Sequence, residues 1–185
     1  MQRQPNGQWF VLEELVTDNM GADRFGRVLR TLLNEKYPNF VIGDITGDPA
    51  GSAMAQTRDE TPFDLLEANG IDADPAHTND FEVRVATLDN LLNRLIDGRP
   101  AIVFDPSCTT LIRGLAGEYH FRRLQVAGRD EYQNKQSKDP TSHVCEALHY
   151  GLMGAGESDT LFESGFDEMY SEIEGYAQTS QRYYE

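Results

Sequence analysis

Short apolar runs alternate with segments of helical spacing along most of the chain. Residues 9–16 (WFVLEELV) are rich in aromatic and β-branched residues and predict a strand. The preceding Pro5-Asn6-Gly7 predicts a tight hairpin turn, because Asn-Gly tolerates the positive φ angles of two-residue hairpins. Two further apolar runs, residues 39–46 (NFVIGDIT) and 100–106 (PAIVFDP), predict short buried strands.

Helical spacing of apolar residues predicts five helices between and after these strands. They lie within residues 19–38, 61–70, 80–98, 107–115 and 139–152. Residues 118–135 instead predict a β-hairpin with its turn near Ala127-Gly128. Strands that alternate with helices predict an α/β fold whose sheet is partly parallel and includes some hairpins.

The helix ends carry recognisable signals. In residues 80–98 the predicted apolar face consists of Val85, Leu88, Leu91, Leu92 and Leu95, and Gly98 is the expected stop. Ser107 is the expected N-cap of the next helix, and Asp139 is the expected cap of the last one.

Composition limits the class of protein. The chain has 185 residues, of which 39% are hydrophobic and 25% charged, which predicts one globular domain. No apolar run approaches the roughly 20 residues of a membrane span, and residues 1–5 lack the apolar core of a signal peptide. The two cysteines, Cys108 and Cys145, suit neither a disulfide framework nor a CxxC metal pair. A reducing, cytoplasmic setting without membrane contact is therefore expected.

Charge is unevenly distributed. The net charge of −15 argues against a protein whose main role is to hold nucleic acid. Residues 157–185 contain eight acids and one basic residue, so we expect a domain over 1–156 and an acidic tail over 157–185. Residues 113–143 are mildly basic, with six basic residues and four acids. That segment is either a solvated face or a surface for phosphate groups.

Acids stand at the ends of the predicted strands. Asp44 and Asp48 lie in and just past residues 39–46, and Asp105 ends residues 100–106. Carboxylates held rigidly at strand tips suit Mg²⁺, which takes oxygen ligands. The alternative is that Asp48 and Asp105 only start turns before Pro49 and Pro106.

The last predicted helix carries a second group of polar residues. His143, Glu146 and Tyr150 share one face, and the packing face is formed by Val144, Ala147, Leu148 and Gly151. Glu146 would complete a metal site if that face met the strand tips; the alternative is a surface glutamate beside a histidine. A zinc site, a P-loop and an acyl-transfer nucleophile are not indicated, since no matching ligand set or motif occurs.

Four segments in order resemble the C-terminal nuclease domain of the large terminase subunit of tailed bacteriophages. They are WFVLEELV, the GDPAG turn with its following QTRDE, DGRPAIVFDPSCTTLIRGL, and the PTSHVCEALHYGL helix. The resemblance spans roughly residues 8–156. It implies a ribonuclease H-like mixed sheet flanked by helices, and an endonuclease that cuts concatemeric viral DNA with two divalent ions, Mg²⁺ or Mn²⁺.

The resemblance also implies residue roles. Asp48 matches the second catalytic acid and metal ligand, and Glu146 matches the third, where the family more often has Asp. Asp105 is a reserve metal ligand, while His143 and Lys138 match supporting positions. The candidates for DNA phosphate contact are Arg113, Arg122, Arg123 and Lys135.

Two departures from the family pattern matter. No Walker motif is present, so this chain has no ATPase motor. The first catalytic acid of the family lies on a strand just before the hairpin that leads into residues 9–16, and we expect this chain to lack most of that strand.

Three functions are therefore compared. The first is a terminase endonuclease in the host-cell cytoplasm, acting on double-stranded DNA beside a portal protein and a small terminase subunit. The second is a catalytically incomplete fragment or acidic module that docks a portal or terminase partner. The third is a small acidic phage protein that uses the same scaffold for regulation.

Overall fold

The computed structural model describes residues 1–53, 60–126, 129–136 and 140–159. The chain begins with an antiparallel hairpin formed by β1 (Gln2–Arg3) and β2 (Trp9–Val11). Gly7 has a φ of 90° in the connecting turn, a left-handed conformation that glycine adopts without strain. The predicted hairpin is therefore confirmed, but its turn is not the two-residue type, because Arg3 pairs with Trp9 and Asn6 does not share the positive φ of Gly7.

A third strand extends this hairpin into a mixed sheet. β7 (Ile102–Phe104) runs parallel to β2, with Trp9 beside Ile102, and the strand order is β1-β2-β7. β2 ends at Val11, earlier than residues 9–16 predicted. The chain leaves the sheet there because Glu13 pairs with Lys36, and Glu14 accepts hydrogen bonds from a neighbouring helix.

A second, two-stranded sheet holds the strand that precedes Asp48. β3 (Ile45–Gly47) pairs in parallel with β4 (Ala73–Pro75). The prediction of a buried strand over residues 39–46 is wrong for its first part. Phe40–Ile42 form no strand and are exposed, Val41 by 96%. On their side of β3 the described part of the chain supplies no neighbouring strand that would cover them.

The five predicted helices are confirmed, with different ends. They are α1 (Ala22–Lys36), α2 (Pro62–Glu67), α3 (Phe81–Asn93), α4 (Thr109–Arg113) and α5 (Pro140–Gly154). A single 3₁₀ turn covers Pro49–Ser52, and a π-helical turn covers Gly114–Glu118.

The end of α3 corrects one prediction. The helix stops at Asn93, and β5 (Leu95–Ile96) pairs with β6 (Arg99–Pro100) across Asp97-Gly98. Asp97 and Gly98 have φ angles of 52° and 74°, as a two-residue hairpin turn requires. Leu95 therefore lies on a strand and is 66% exposed, and Leu92 is 46% exposed, so neither lies on a buried helical face as predicted.

The N-terminus of α4 is capped from a distance. Ser107 does not cap it, because the N-cap residue is Cys108 and its side chain makes no capping bond. The Glu14 carboxylate instead accepts the backbone N–H groups of Thr110 at 2.7 Å and Leu111 at 2.8 Å. A residue that follows β2 thus ties that strand to α4.

The predicted hairpin within residues 118–135 is confirmed by its backbone. β8 (Phe121–Val126) pairs antiparallel with β9 (Arg129–Gln136). Ala127, Gly128 and Asp139 lie outside the described residues, as does the predicted acidic tail after Asp159.

The α5 helix joins the two sheets. Its buried side chains Cys145, Leu148 and Leu152 belong to a core that also contains Trp9, Val11 and Ile102 of the first sheet. Near its C-terminus, a Cβ added to Gly151 would meet Met1, and one added to Gly154 would overlap the Thr46 side chain of β3. The same helix therefore packs against the beginning of the first sheet and the middle of the second.

A groove lies between the two sheets. The cavity measures about 740 Å³. Its lining includes Gln2, Arg3, Leu29, Leu32, Leu33, Ile45, Gly151 and Ala155. β1 and β3 are edge strands of their sheets, and both border this inter-sheet groove.

The molecule is a mixed α/β fold. Within the described ranges, no helix combines the length and the apolar character needed to cross a lipid bilayer.

Candidate functional site

The site is built where β3, α3 and α5 meet. Asp48 follows β3 directly, Arg84 lies on α3, and Glu146 and Tyr150 are one turn apart on α5. We call these four residues the carboxylate cluster. They come together because α5 packs on both α3 and β3.

Asp48 has a structural role in its own turn. Its Oδ1 accepts the backbone N–H of Ala50 at 2.9 Å and caps the 3₁₀ turn over Pro49–Ser52. The turn-forming interpretation of Asp48 is thus confirmed. Asp48 has a second effect, since its negative charge also raises the pKa of Tyr150.

Tyr150 reports on the electrostatics of the cluster. Its hydroxyl donates to Oδ1 of Asn79 at 2.6 Å. Burial raises the pKa of Tyr150 to about 12; the Arg84 charge opposes this rise, and the charges of Asp48 and Glu146 add to it. Both predicted catalytic acids therefore influence the same phenol, although they come from different elements.

Glu146 is buried, which corrects the surface alternative. The residue is 5% exposed, and its Oε1 lies 3.9 Å from Nη1 of Arg84. His143 Nδ1 lies 3.9 Å from Oε2 of Glu146, but the His143 side chain is 69% exposed. The predicted common face is therefore divided. Glu146 and Tyr150 lie in the interior, and His143 lies at the surface.

Arg84 is the member that the sequence interpretation missed. The residue is 5% exposed, and its guanidinium lies 5.1 Å from the ring centre of Tyr150 and 5.8 Å from that of Phe81. The available signal was an arginine four residues before Leu88 and seven before Leu91, on the face of α3 that becomes buried.

His149 lies next to the cluster on α5 and is 2% exposed. Burial, and secondarily the positive charge of Arg84, lowers the pKa of His149 to about 4. Its ring meets the Tyr119 ring edge-on at 5.8 Å. The histidine is therefore neutral near pH 7 and adds no charge to the cluster.

Asp105 lies on the other sheet, at the end of β7. Its Oδ1 accepts the Ser107 N–H at 2.9 Å and the Ser107 hydroxyl at 2.6 Å, and these bonds hold its pKa below the usual range. Its charge acts on Cys108 and Tyr37. The geometry is that of the predicted turn, and Asp105 is not brought into the carboxylate cluster.

The predicted phosphate-binding residues are described to different extents. Arg113 ends α4, and its exposed side chain pairs with Glu118 at 3.4 Å. Arg122, Arg123 and Lys135 lie on the β8–β9 hairpin, where the backbone is described but their side chains are not. Lys138 lies outside the described residues.

The donor set of the cluster consists of oxygen atoms. Over the described ranges, no group of three or more His, Cys, Asp or Glu side chains lies close enough together to hold a metal ion. Asp48 and Glu146 are two carboxylates of the kind that Mg²⁺ and Mn²⁺ prefer. The residues present thus fit part of a divalent-cation site.

The comparisons with known proteins gave no relative. No protein-family model, no curated protein and no solved structure matches this chain.

Proposed function

We propose that this chain is a metal-dependent DNA endonuclease of the ribonuclease H-like class, related to the nuclease domain of phage terminases. The observation that carries the proposal is that α5, which holds the buried Glu146, packs against β3, the strand that Asp48 directly follows. These are the two acids that the resemblance selects as metal ligands. Glu146 is 5% exposed, and a glutamate is rarely buried to this extent without a charged partner or a ligand.

Asp48 and Glu146 would hold the divalent cations, and His143 lies at the exposed margin of Glu146. Bound divalent cations supply an activated water and stabilisation of the leaving oxygen in phosphodiester hydrolysis. Asp48 is fixed by its own turn, and Tyr150 is fixed by Asn79, so both are held before any ligand binds.

The inter-sheet groove supports the fold assignment. Parallel pairs lie on either side of it, β2 with β7 and β3 with β4, and two edge strands border it. By the resemblance, the strand that carries the first acid of the family corresponds to β1, which borders this groove.

The β8–β9 hairpin and Arg113 are the proposed contacts with double-stranded DNA. The hairpin carries Arg122, Arg123 and Lys135, and basic residues of this kind bind phosphates without reading sequence. Portal protein, small terminase subunit and host-cell cytoplasm complete the proposed context.

A non-catalytic interaction module is the second candidate. It is favoured by one observation, namely that Arg84 already places a positive charge beside Glu146. A cluster neutralised in this way is stable as part of the core without any metal ion.

Plasmid cleavage separates the two functions. The full chain is incubated with supercoiled DNA and Mn²⁺ or Mg²⁺, alongside Asp48→Asn, Glu146→Gln and the control Asp105→Asn. We expect metal-dependent nicking by the wild type and the control, and its loss in the other two variants. Absence of nicking by the wild type would refute the nuclease function, and full activity of Glu146→Gln would refute the site.

A further inference from the structure

Arg84 is a buried cation whose hydrogen-bonding capacity is largely unmet. Its Nε and Nη1 atoms are buried and have no hydrogen-bond partner within the part of the chain that the structure describes. The 3.9 Å separation from Glu146 exceeds hydrogen-bond length, so the two groups attract each other mainly by charge. The guanidinium also lies near two aromatic rings, at 5.8 Å from the ring centre of Phe81 and 5.1 Å from that of Tyr150.

Such an arrangement is stable only while the charges compensate each other. A buried carboxylate that loses its counter-charge is strongly destabilised, and so is a buried guanidinium. Glu146 and Arg84 are each 5% exposed, so solvent compensates neither of them well. The positive charge beside Glu146 is therefore an electrostatic requirement of this part of the core.

We propose that Arg84 is the resident counter-cation of the carboxylate cluster and competes with a divalent cation for Glu146. A metal ion at Glu146 satisfies the same electrostatic requirement, while the guanidinium repels it. Arg84 thus stabilises the metal-free fold and lowers its metal affinity. This inference rests on the metal-binding part of the proposed function.

The test replaces Arg84 with methionine in the full chain. Without metal, Arg84→Met should unfold at a lower temperature than the wild type because the Arg84 charge no longer lies beside the buried Glu146. Mn²⁺ should then raise the Tm of Arg84→Met more than that of the wild type, and calorimetric titration should show Mn²⁺ affinity increased by about tenfold or more.

Arg94→Met is the matched control. Arg94 follows α3 directly and pairs at 3.2 Å with Glu157, a second buried carboxylate, which also accepts a hydrogen bond from Trp9 and pairs with Arg3 at 3.4 Å. The control should lose stability, and Mn²⁺ should not restore it. The double variant Arg84→Met/Glu146→Gln should lose the response to Mn²⁺, since the shared ligand is then absent.

Several results would overturn the inference. One is that Mn²⁺ binds the wild type and Arg84→Met with equal affinity. Another is that Mn²⁺ raises the Tm of Arg84→Met and Arg94→Met by equal amounts. If Arg84→Met does not fold even with Mn²⁺, Arg84→Lys decides, because its shorter side chain holds the charge farther from Glu146. Mn²⁺ affinity unchanged in Arg84→Lys would then refute competition.

The outcome is separable from plasmid cleavage. Tighter Mn²⁺ binding by Arg84→Met without any DNA nicking would support the competition and refute the nuclease. DNA nicking by the wild type with unchanged Mn²⁺ binding in Arg84→Met would support the nuclease and refute the competition.

Discussion

His149 makes the stability of the fold depend on pH. Its pKa is about 4 in the folded state, whereas an unfolded histidine titrates near 6.5. Between these values the unfolded chain binds a proton that the folded chain does not, so stability falls as pH falls. The difference corresponds to about 3 kcal/mol, which we expect to be lost between pH 7 and pH 4.

Urea denaturation across that pH range measures this effect. His149→Phe keeps an aromatic ring against Tyr119 and should make the profile flatter by a similar amount. His77 is exposed, and His77→Gln should leave the profile as in the wild type. An unchanged slope in His149→Phe would show that other groups cause the acid sensitivity.

Glu14 supports a second prediction at the residue scale. It accepts two backbone N–H groups at the start of α4, where orphan donors otherwise need a cap. Glu14→Ala should lower the free energy of unfolding by about 1–3 kcal/mol, measured in urea. Glu13→Ala removes mainly an ion pair with the exposed Lys36 and should cost less. Equal losses in the two variants would contradict the capping role.

Sequence reasoning selected two acids of the candidate site. Asp48 and Glu146 follow from motif order, and the structure places them at the end of β3 and on α5, which pack together. Arg84 was missed because its partners lie on α5, and helical spacing within α3 carries no information about a helix so far along the chain. Glu14 was missed for the same reason, since a distant side chain replaced the local cap that Ser107 predicted.

Among the elements, α5 makes a matched prediction possible. A Cβ at Gly154 would overlap Thr46 on β3, whereas one at Gly151 would meet only the flexible end of Met1. Gly154→Ala should therefore destabilise the fold by about 1–3 kcal/mol. Gly151→Ala should be close to neutral, because alanine favours helix and the Met1 side chain can move.

Thermal unfolding of the two variants tests this difference. If Gly154→Ala were as stable as Gly151→Ala, β3 and α5 would not pack as closely as the structure indicates.

The helices were easier to predict than the strands. An amphipathic helix carries its periodicity in its own sequence, as α1 does. A strand depends on its neighbours, and residues 39–46 form only a short strand because one side of β3 lacks a partner among the described residues. The Asp97-Gly98 pair was read as a helix stop, although it is equally a hairpin signal.

At the scale of the whole molecule, the α/β class followed from the alternation of strands and helices, and the structure confirms it. The presence of two sheets joined by α5 did not follow. That arrangement depends on contacts of Gly151 and Gly154 with residues far away in sequence, which spacing alone does not encode.

The inter-sheet groove has a consequence for colloidal behaviour. The two edge strands can pair with another copy of the chain, and the exposed Val41 can contact it. The net charge of −15 opposes this association by repulsion between copies. Salt screens this repulsion over about 10 Å at 0.1 M and about 3 Å at 1 M. Light scattering should therefore show growing self-association as NaCl rises, and less of it in Val41→Lys. Particle size independent of salt would mean that these edges are already protected. If the expected result is found, the strand edges at the groove limit the salt range in which the protein stays dispersed.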